Sequence, residues 1–173
     1  ATITDGFSRR TDHSLVSAFG RLTYTFADKI TTSLNVRRDG SSRFGEENRF
    51  GTFPSASILW RVGEEDFMNR QNIFSNLALR ASYGLTGNQQ NLGNFASRGL
   101  FAGGNNYNNQ PGIAPSQLAN PELRWEKTAQ WNVGTDFSVL NDRLGFTIDY
   151  YNKQTEDLLI ERTVPATTGF DEI

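Results

Sequence analysis

Two runs of neighbouring acids, Glu46-Glu47 and Glu64-Glu65-Asp66, and one histidine, His13, are the residues here best suited to acid–base chemistry. Hydrolysis of a glycoside needs two carboxyls held about 5 to 9 Å apart across a sugar, and adjacent loop residues do not set that separation. His13 has no evident nucleophile beside it, so a catalytic triad has no framework. The chain has no cysteine, which removes disulfides, thiol nucleophiles, iron–sulfur clusters and most zinc sites. Gly99, Gly103 and Gly104 match no phosphate-cradling spacing. The sequence predicts no catalytic residue, no cofactor and no metal site. With 17 Lys plus Arg against 19 Asp plus Glu, it also lacks the basic footprint of a nucleic-acid binder.

Binding chemistry has more to work with. The string NQQNLGNFASRGLFAGGNNYNNQPG, Asn88 to Gly112, offers Phe95, Phe101 and Tyr107 as stacking surfaces among amides that suit sugar hydroxyls or a peptide backbone. A hydrated loop rich in turn formers has the same composition, although loops this long are usually functional or disordered. The string RRDGSSRFG, Arg37 to Gly45, sets Arg38 and Arg43 around an expected Asp39-Gly40 turn. Its fork-shaped donors suit an anionic ligand; the plainer reading is internal pairing of Arg with Asp. DGSS is too short for a calcium loop.

The elements that must position these residues alternate with period two. Six windows respond, at 16–26, 30–36, 50–62, 77–85, 123–137 and 144–150. One side is apolar, with Leu22, Tyr24, Phe26, Leu34, Val36, Ile58, Trp60, Leu79, Trp125, Trp131, Val133, Phe137, Ile148 and Tyr150 among its members. The other carries Arg21, Arg61, Arg80, Arg124, Glu126, Asp136 and Asp149, with Phe19 and Phe53 as aromatic exceptions. Such a two-sided antiparallel sheet meets either a second sheet, as in a soluble sandwich, or lipid, as in an outer-membrane barrel.

Length favours lipid. Soluble strands usually run about 5 to 6 residues. The window from Leu123 to Phe137 alternates without a break, and at about 3.3 Å per residue and a tilt near 45° it projects to roughly 35 Å, enough to cross a hydrocarbon core of about 30 Å. No apolar run approaches the roughly 20 residues of a spanning helix. The turns at 27–29 and 140–142 are short, whereas 86–122 is very long, as in barrels with short periplasmic turns and long outer loops. With the short turns inside, Tyr24, Phe26, Trp60 and Phe137 fall toward an inner rim, and Trp125 and Tyr150 toward an outer one, forming two girdles. Lys127 on the greasy face sits near Trp125, where its stem can snorkel. Residues 63–75 are long for an inner turn, and 64–68 are expected to fold as one helical turn with acids at its N-terminus.

The strings FGRLTYTF (19–26), RRDGSSRFG (37–45), FPSASILWRVGEEDFM (53–68), LRASYGLTGNQ (79–89), NPELRWEKTAQWNVGTDF (120–137), DYYNKQTEDLL (149–159) and ATTGF (166–170) together resemble the SusC/RagA family of TonB-dependent outer-membrane transporters. The resemblance implies an all-β, antiparallel up-and-down meander of about six long strands, an incomplete section of a large transmembrane barrel in a member of the Bacteroidota. Residues 1–173 are then part of one barrel domain, without its plug. Six strands cannot enclose a channel, since plugged transporters have about 22. The opening ATITDGFSRRTDHS lacks an initiator Met or apolar leader, so the chain is expected to be a segment of a longer one.

The implied partners are outer-membrane lipid, a SusD-like surface lipoprotein closing over the barrel mouth, the TonB complex acting through the plug, and an oligosaccharide or peptide cargo. In that setting Arg38, Asp39, Arg43, Phe95, Phe101 and Tyr107 become outer-loop contacts for ligand or lid, the charged residues of the polar side line the lumen, and the rim aromatics meet the membrane interface. Cross-strand pairing on a wet wall is the plainer reading of the lumen residues. The competing architecture is a soluble carbohydrate-binding β-sandwich, which requires a second layer over Leu79, Trp131 and Ile148. A barrel-borne hydrolase is weaker still, because nothing here assembles an active site.

Overall fold

The computed structural model describes residues 10–71, 73–90, 92–104, 106, 108, 110–160, 167, 169 and 170. Among these described residues there are eight strands: β1 (Leu15–Phe26), β2 (Ile30–Ser41), β3 (Phe50–Trp60), β4 (Phe74–Asn88), β5 (Leu100–Gly103), β6 (Ile113–Gln117), β7 (Glu126–Val139) and β8 (Leu144–Glu156). Six form one sheet in the order β1-β2-β3-β4-β7-β8, every neighbour antiparallel. The expected six-strand meander is therefore the main sheet. The hairpin β5–β6 is additional and stands apart from it.

Register converts alternation into faces. Tyr24 pairs with Thr32, Thr32 with Ile58, Ile58 with Ala81, Ala81 with Val133 and Val133 with Tyr150, giving one cross-strand row on the apolar side. One residue away, Leu59, Arg80, Gly134 and Asp149 form a row on the polar side. A slip of one position would exchange the two faces completely. Leu79, Trp131 and Ile148 are 40%, 40% and 59% exposed, so among the described residues no second layer covers them. The sandwich expectation is corrected accordingly: this is a single open sheet.

The short turns have sharp local causes. Ala27 and Asp28 both have positive φ, 49° and 57°, and Lys29 N donates to Phe26 O at 3.0 Å. Those are the φ signs of a type I′ turn, whose twist matches the flanking strands. Leu140, Asn141 and Asp142 turn the last hairpin at 56°, 56° and 62°. The longer connection after β3 forms two 3-10 turns, Val62–Glu64 and Met68–Arg70, in place of the single helical turn expected at 64–68. Val62 buries there, outside the strand that the alternation had extended through it.

Near its other end the sheet forks. The β3–β4 ladder runs from Trp60↔Leu79 to Ser55↔Gly84 and stops, while β3 continues against β2 and β4 against β7. The next residue, Pro54, has no N–H to donate to a ladder. Phe53 lies against Gly87 of β4, where an added Cβ would stand 2.1 Å from its ring. Phe44 and Trp125 complete a buried cluster with Phe53, surrounded by Leu85, Leu92, Leu123 and Leu159.

Candidate functional site

That cluster joins two long connections into one body. The Phe44 and Trp125 rings lie 4.7 Å apart, and Phe53 meets Trp125 edge-on at 5.6 Å. Trp125 Nε1 donates to Arg49 O at 3.0 Å, Gly45 N to Leu123 O at 3.2 Å, and Asn48 Nδ2 to Glu122 O at 3.2 Å. Gly45 is obligatory, because a Cβ there would sit 1.7 Å from Pro121 O. Trp125 is only 4% exposed, which corrects its expected place on a rim. It precedes β7, so the alternation through 123–125 belongs to an extended approach that turns inward.

The expected loop contacts divide. Arg43 donates to Asn94 Oδ1 from Nε (3.3 Å) and Nη2 (3.0 Å), tying its connection to 92–98. Gln117 Nε2 clamps the carbonyls of Phe95, Ala96 and Arg98, and Arg98 lies 5.9 Å from the Phe95 ring. Phe101 is exposed on β5; Tyr107 lies outside the described residues. Arg38 and Asp39 are not in a turn, since β2 runs through them to Ser41. Arg38 shares the apolar side with Thr52 and sits 5.2 Å over the Phe50 ring, which Gly40 accommodates. Asp39 is 8% exposed and accepts from Arg37 Nε at 2.8 and 2.7 Å. The internal Arg-to-Asp pairing is thus the one present, and Asp39 is withdrawn from the surface.

On the polar face Arg80 is the hub of one cluster. Its Nε lies 2.7 Å from Asp136 and its Nη2 3.0 Å from Asp149, while Thr147 donates to Asp136 at 2.9 Å. Gly134 stands between Arg80 and Asp149 in the row, and a Cβ there would meet Asp149 Oδ1 at 2.2 Å. The glycine lets the two charges meet across it. Other expected wall residues stand at strand ends: Arg61 donates to Asp28 O at 2.8 Å, Arg124 pairs with Asp157 at 3.2 Å, and Glu126 accepts from Asn88 at 3.0 Å.

The same face carries a recess of about 710 Å³ across β1–β4. Phe19, Arg37 and Phe53 form one cross-strand row, and Arg21, Asn35, Ser55 and Gly84 form the next but one. Arg37 is occupied by Asp39 and Ser17, whereas Arg21 donates Nε to the neutral Asn35 amide at 2.5 Å. Phe19 is 81% exposed. The recess was missed in sequence because it depends on register between four strands; its signal was the pair of aromatics on an otherwise polar side.

Among the expected rim aromatics, Tyr24, Phe26 and Tyr150 are exposed on the apolar side, and Phe137 stacks on Phe146 at 5.1 Å. Trp60 donates Nε1 to Glu65 at 3.1 Å, and Glu65 also receives Lys29 Nζ at 3.0 Å. The Trp60 and Lys29 donors hold the Glu65 carboxyl below its ordinary pKa, and the bond to Glu65 holds Lys29 above its own. Among the described residues no group of three or more His, Cys, Asp or Glu is placed to hold a metal.

Residues 2–171 match the family model described as TonB dependent receptor-like, beta-barrel. The chain belongs to that family. It is 44% identical over 163 residues to a TonB-dependent receptor of Formosa agariphila, covering 94% of this chain and 16% of that protein. It is 41% identical over 168 residues to the TonB-dependent receptor SusC of Bacteroides thetaiotaomicron, covering 93% of this chain and 17% of that one. The RagAB peptide transporter superposes with a TM-score of 0.84 at 34% identity, over 92% of this chain and 18% of the matched chain. The chain thus spans about a sixth of the length of these curated receptors, and its open sheet corresponds to a section of a TonB-dependent receptor barrel.

Proposed function

We propose that this chain is a wall section, within one barrel domain, of an outer-membrane TonB-dependent importer of oligosaccharides or peptides. Its apolar face contacts lipid, its polar face lines a hydrated lumen, and its welded outer loops face the cargo and a SusD-like lipoprotein lid. Energy arrives from the TonB complex through a plug outside this stretch, and these residues perform no chemistry of their own. The Arg80 cluster and the Arg21 recess belong to the lumen wall. Arg38 and Arg43 present cations near the outer end, Phe95, Phe101 and Tyr107 are the stacking residues offered to cargo or lid, and Tyr24, Phe26, Trp60, Phe137 and Tyr150 meet the membrane interfaces.

The observation that carries this reading is the broad, mainly apolar exposed face across six long strands, backed by a mainly polar one. A soluble protein rarely leaves so broad an apolar surface bare, whereas a barrel turns it to acyl chains. The test uses the complete protein in its native host. It should fractionate with the outer membrane, and its deletion should abolish uptake of its oligosaccharide or peptide cargo to the same degree as loss of TonB. Recovery in the periplasm or cytosol, or uptake indifferent to TonB, would refute the reading.

A further inference from the structure

The recess on the polar face has the ingredients of a ligand site that the expected outer-loop contacts do not include. Within this section of the barrel Phe19 leaves its ring uncovered on a side whose neighbours along β1 are Ser17, Arg21 and Thr23. An aromatic so placed offers an apolar plate surrounded by hydrogen-bonding groups, the usual composition of a small-molecule pocket. The volume, about 710 Å³, falls in the range of roughly 300–1,000 Å³ typical of such sites.

The charges select among ligands. Arg21, Arg37 and Asp39 are the ionisable groups lining the recess. Asp39 neutralises Arg37 through both carboxylate oxygens. Arg21 has a neutral partner and no carboxylate within ion-pair distance among the described residues. One positive charge is left over, and its fork-shaped donors match a carboxylate. β2 is paired on both sides, so beside Phe19 recognition falls to side chains; the edges that β3 and β4 leave unpaired beyond Ser55↔Gly84 are where an extended peptide would pair instead. A ring with one apolar face, hydroxyls at its edge and a carboxylate satisfies Phe19, the Asn35 and Ser55 side chains, and Arg21 together.

We propose that this recess binds a carboxylate-bearing sugar unit, a uronate residue of an oligosaccharide, with its ring face on Phe19 and its carboxylate on Arg21. This rests on the importer reading, because it places the site on the lumen wall and narrows the cargo to acidic glycans. The test is calorimetric titration of the complete detergent-solubilised protein with trigalacturonate, the neutral galactotriose and a triglutamate peptide. Trigalacturonate should bind at least tenfold more tightly than either of the others. Arg21→Gln and Phe19→Ala should each weaken it tenfold or more. Heat-modifiable migration on gels verifies that each variant retains its barrel. Equal affinity for acidic and neutral trimers, tighter triglutamate binding, or unaltered trigalacturonate binding in Arg21→Gln would overturn the proposal. Uptake with and without TonB is measured separately: binding that fails in a TonB-dependent importer removes this site alone, and binding that succeeds without TonB dependence removes the importer reading alone.

Discussion

Val133→Arg puts a charge where the structure leaves it no escape. Val133 lies mid-strand in β7 on the apolar side, half exposed, between Ala81 and Tyr150 of the flanking strands. It is six residues from the end of β7 at Val139; at about 3.3 Å per residue and a tilt near 45°, that is roughly 14 Å of depth. This exceeds what an arginine stem can cover by snorkelling. The expected cost is roughly 2–4 kcal/mol, or about 30- to 900-fold in the folding equilibrium. Asn132→Arg, one residue away, enters the polar side, where Asn132 contacts Ser82 and Gln130; losing those bonds costs about 1 kcal/mol. Equilibrium urea titration of the complete protein refolded into lipid vesicles measures both. Equal costs at the two positions would refute the assignment of faces.

Gly134→Ala should separate Asp149 from Arg80 and lower stability by about 1 kcal/mol. The same change in an Asp149→Asn background should add little, and full additivity would show that the glycine does not serve this pair. Trp125→Ala should open the outer cluster, at a cost of about 3–5 kcal/mol. Hydrogen exchange should then rise at 42–49 and 118–125 but not in the centres of β3 and β7, and Trp125→Phe should have a smaller effect. Glu65→Gln should flatten the acid limb of stability. The lowered carboxyl contributes stability fully above its ordinary pKa of 4.5 and loses it as pH falls through the folded value. Wild-type and variant urea midpoints should therefore differ at pH 6 and converge as pH falls below the folded value of this carboxyl. Lys29, raised by the same bond, works oppositely and loses its contribution as pH rises past 10.5 toward its folded value.

Alternation made the six main strands and their faces legible, because side-chain period two survives whatever covers the sheet. It failed where a residue's role depends on what lies beyond its own strand. Trp125 keeps the parity of β7 yet precedes it and turns into the Phe44–Phe53 cluster. Asp39-Gly40 has the composition of a turn, but Gly40 serves instead as the bare site under the Phe50 ring within β2 and β3. Hairpin β5–β6 was hidden in a segment rich in Gly and Asn, and the alternation ran straight through Pro54, whose missing N–H marks where the β3–β4 ladder ends. The members of the Arg80 cluster were readable as charged residues of one face, but the glycine that joins Arg80 to Asp149 required the register.

The assignment of sides is tested most directly by spin labels placed singly from Gln130 to Phe137 in the complete protein in lipid bilayers. Collision with oxygen, which concentrates in acyl chains, should peak at Trp131, Val133, Thr135 and Phe137, and collision with a water-soluble nickel chelate should peak at Gln130, Asn132 and Asp136. Two out-of-phase profiles with a period of two residues are expected; in-phase or flat profiles would contradict a wall with lipid on one side and water on the other.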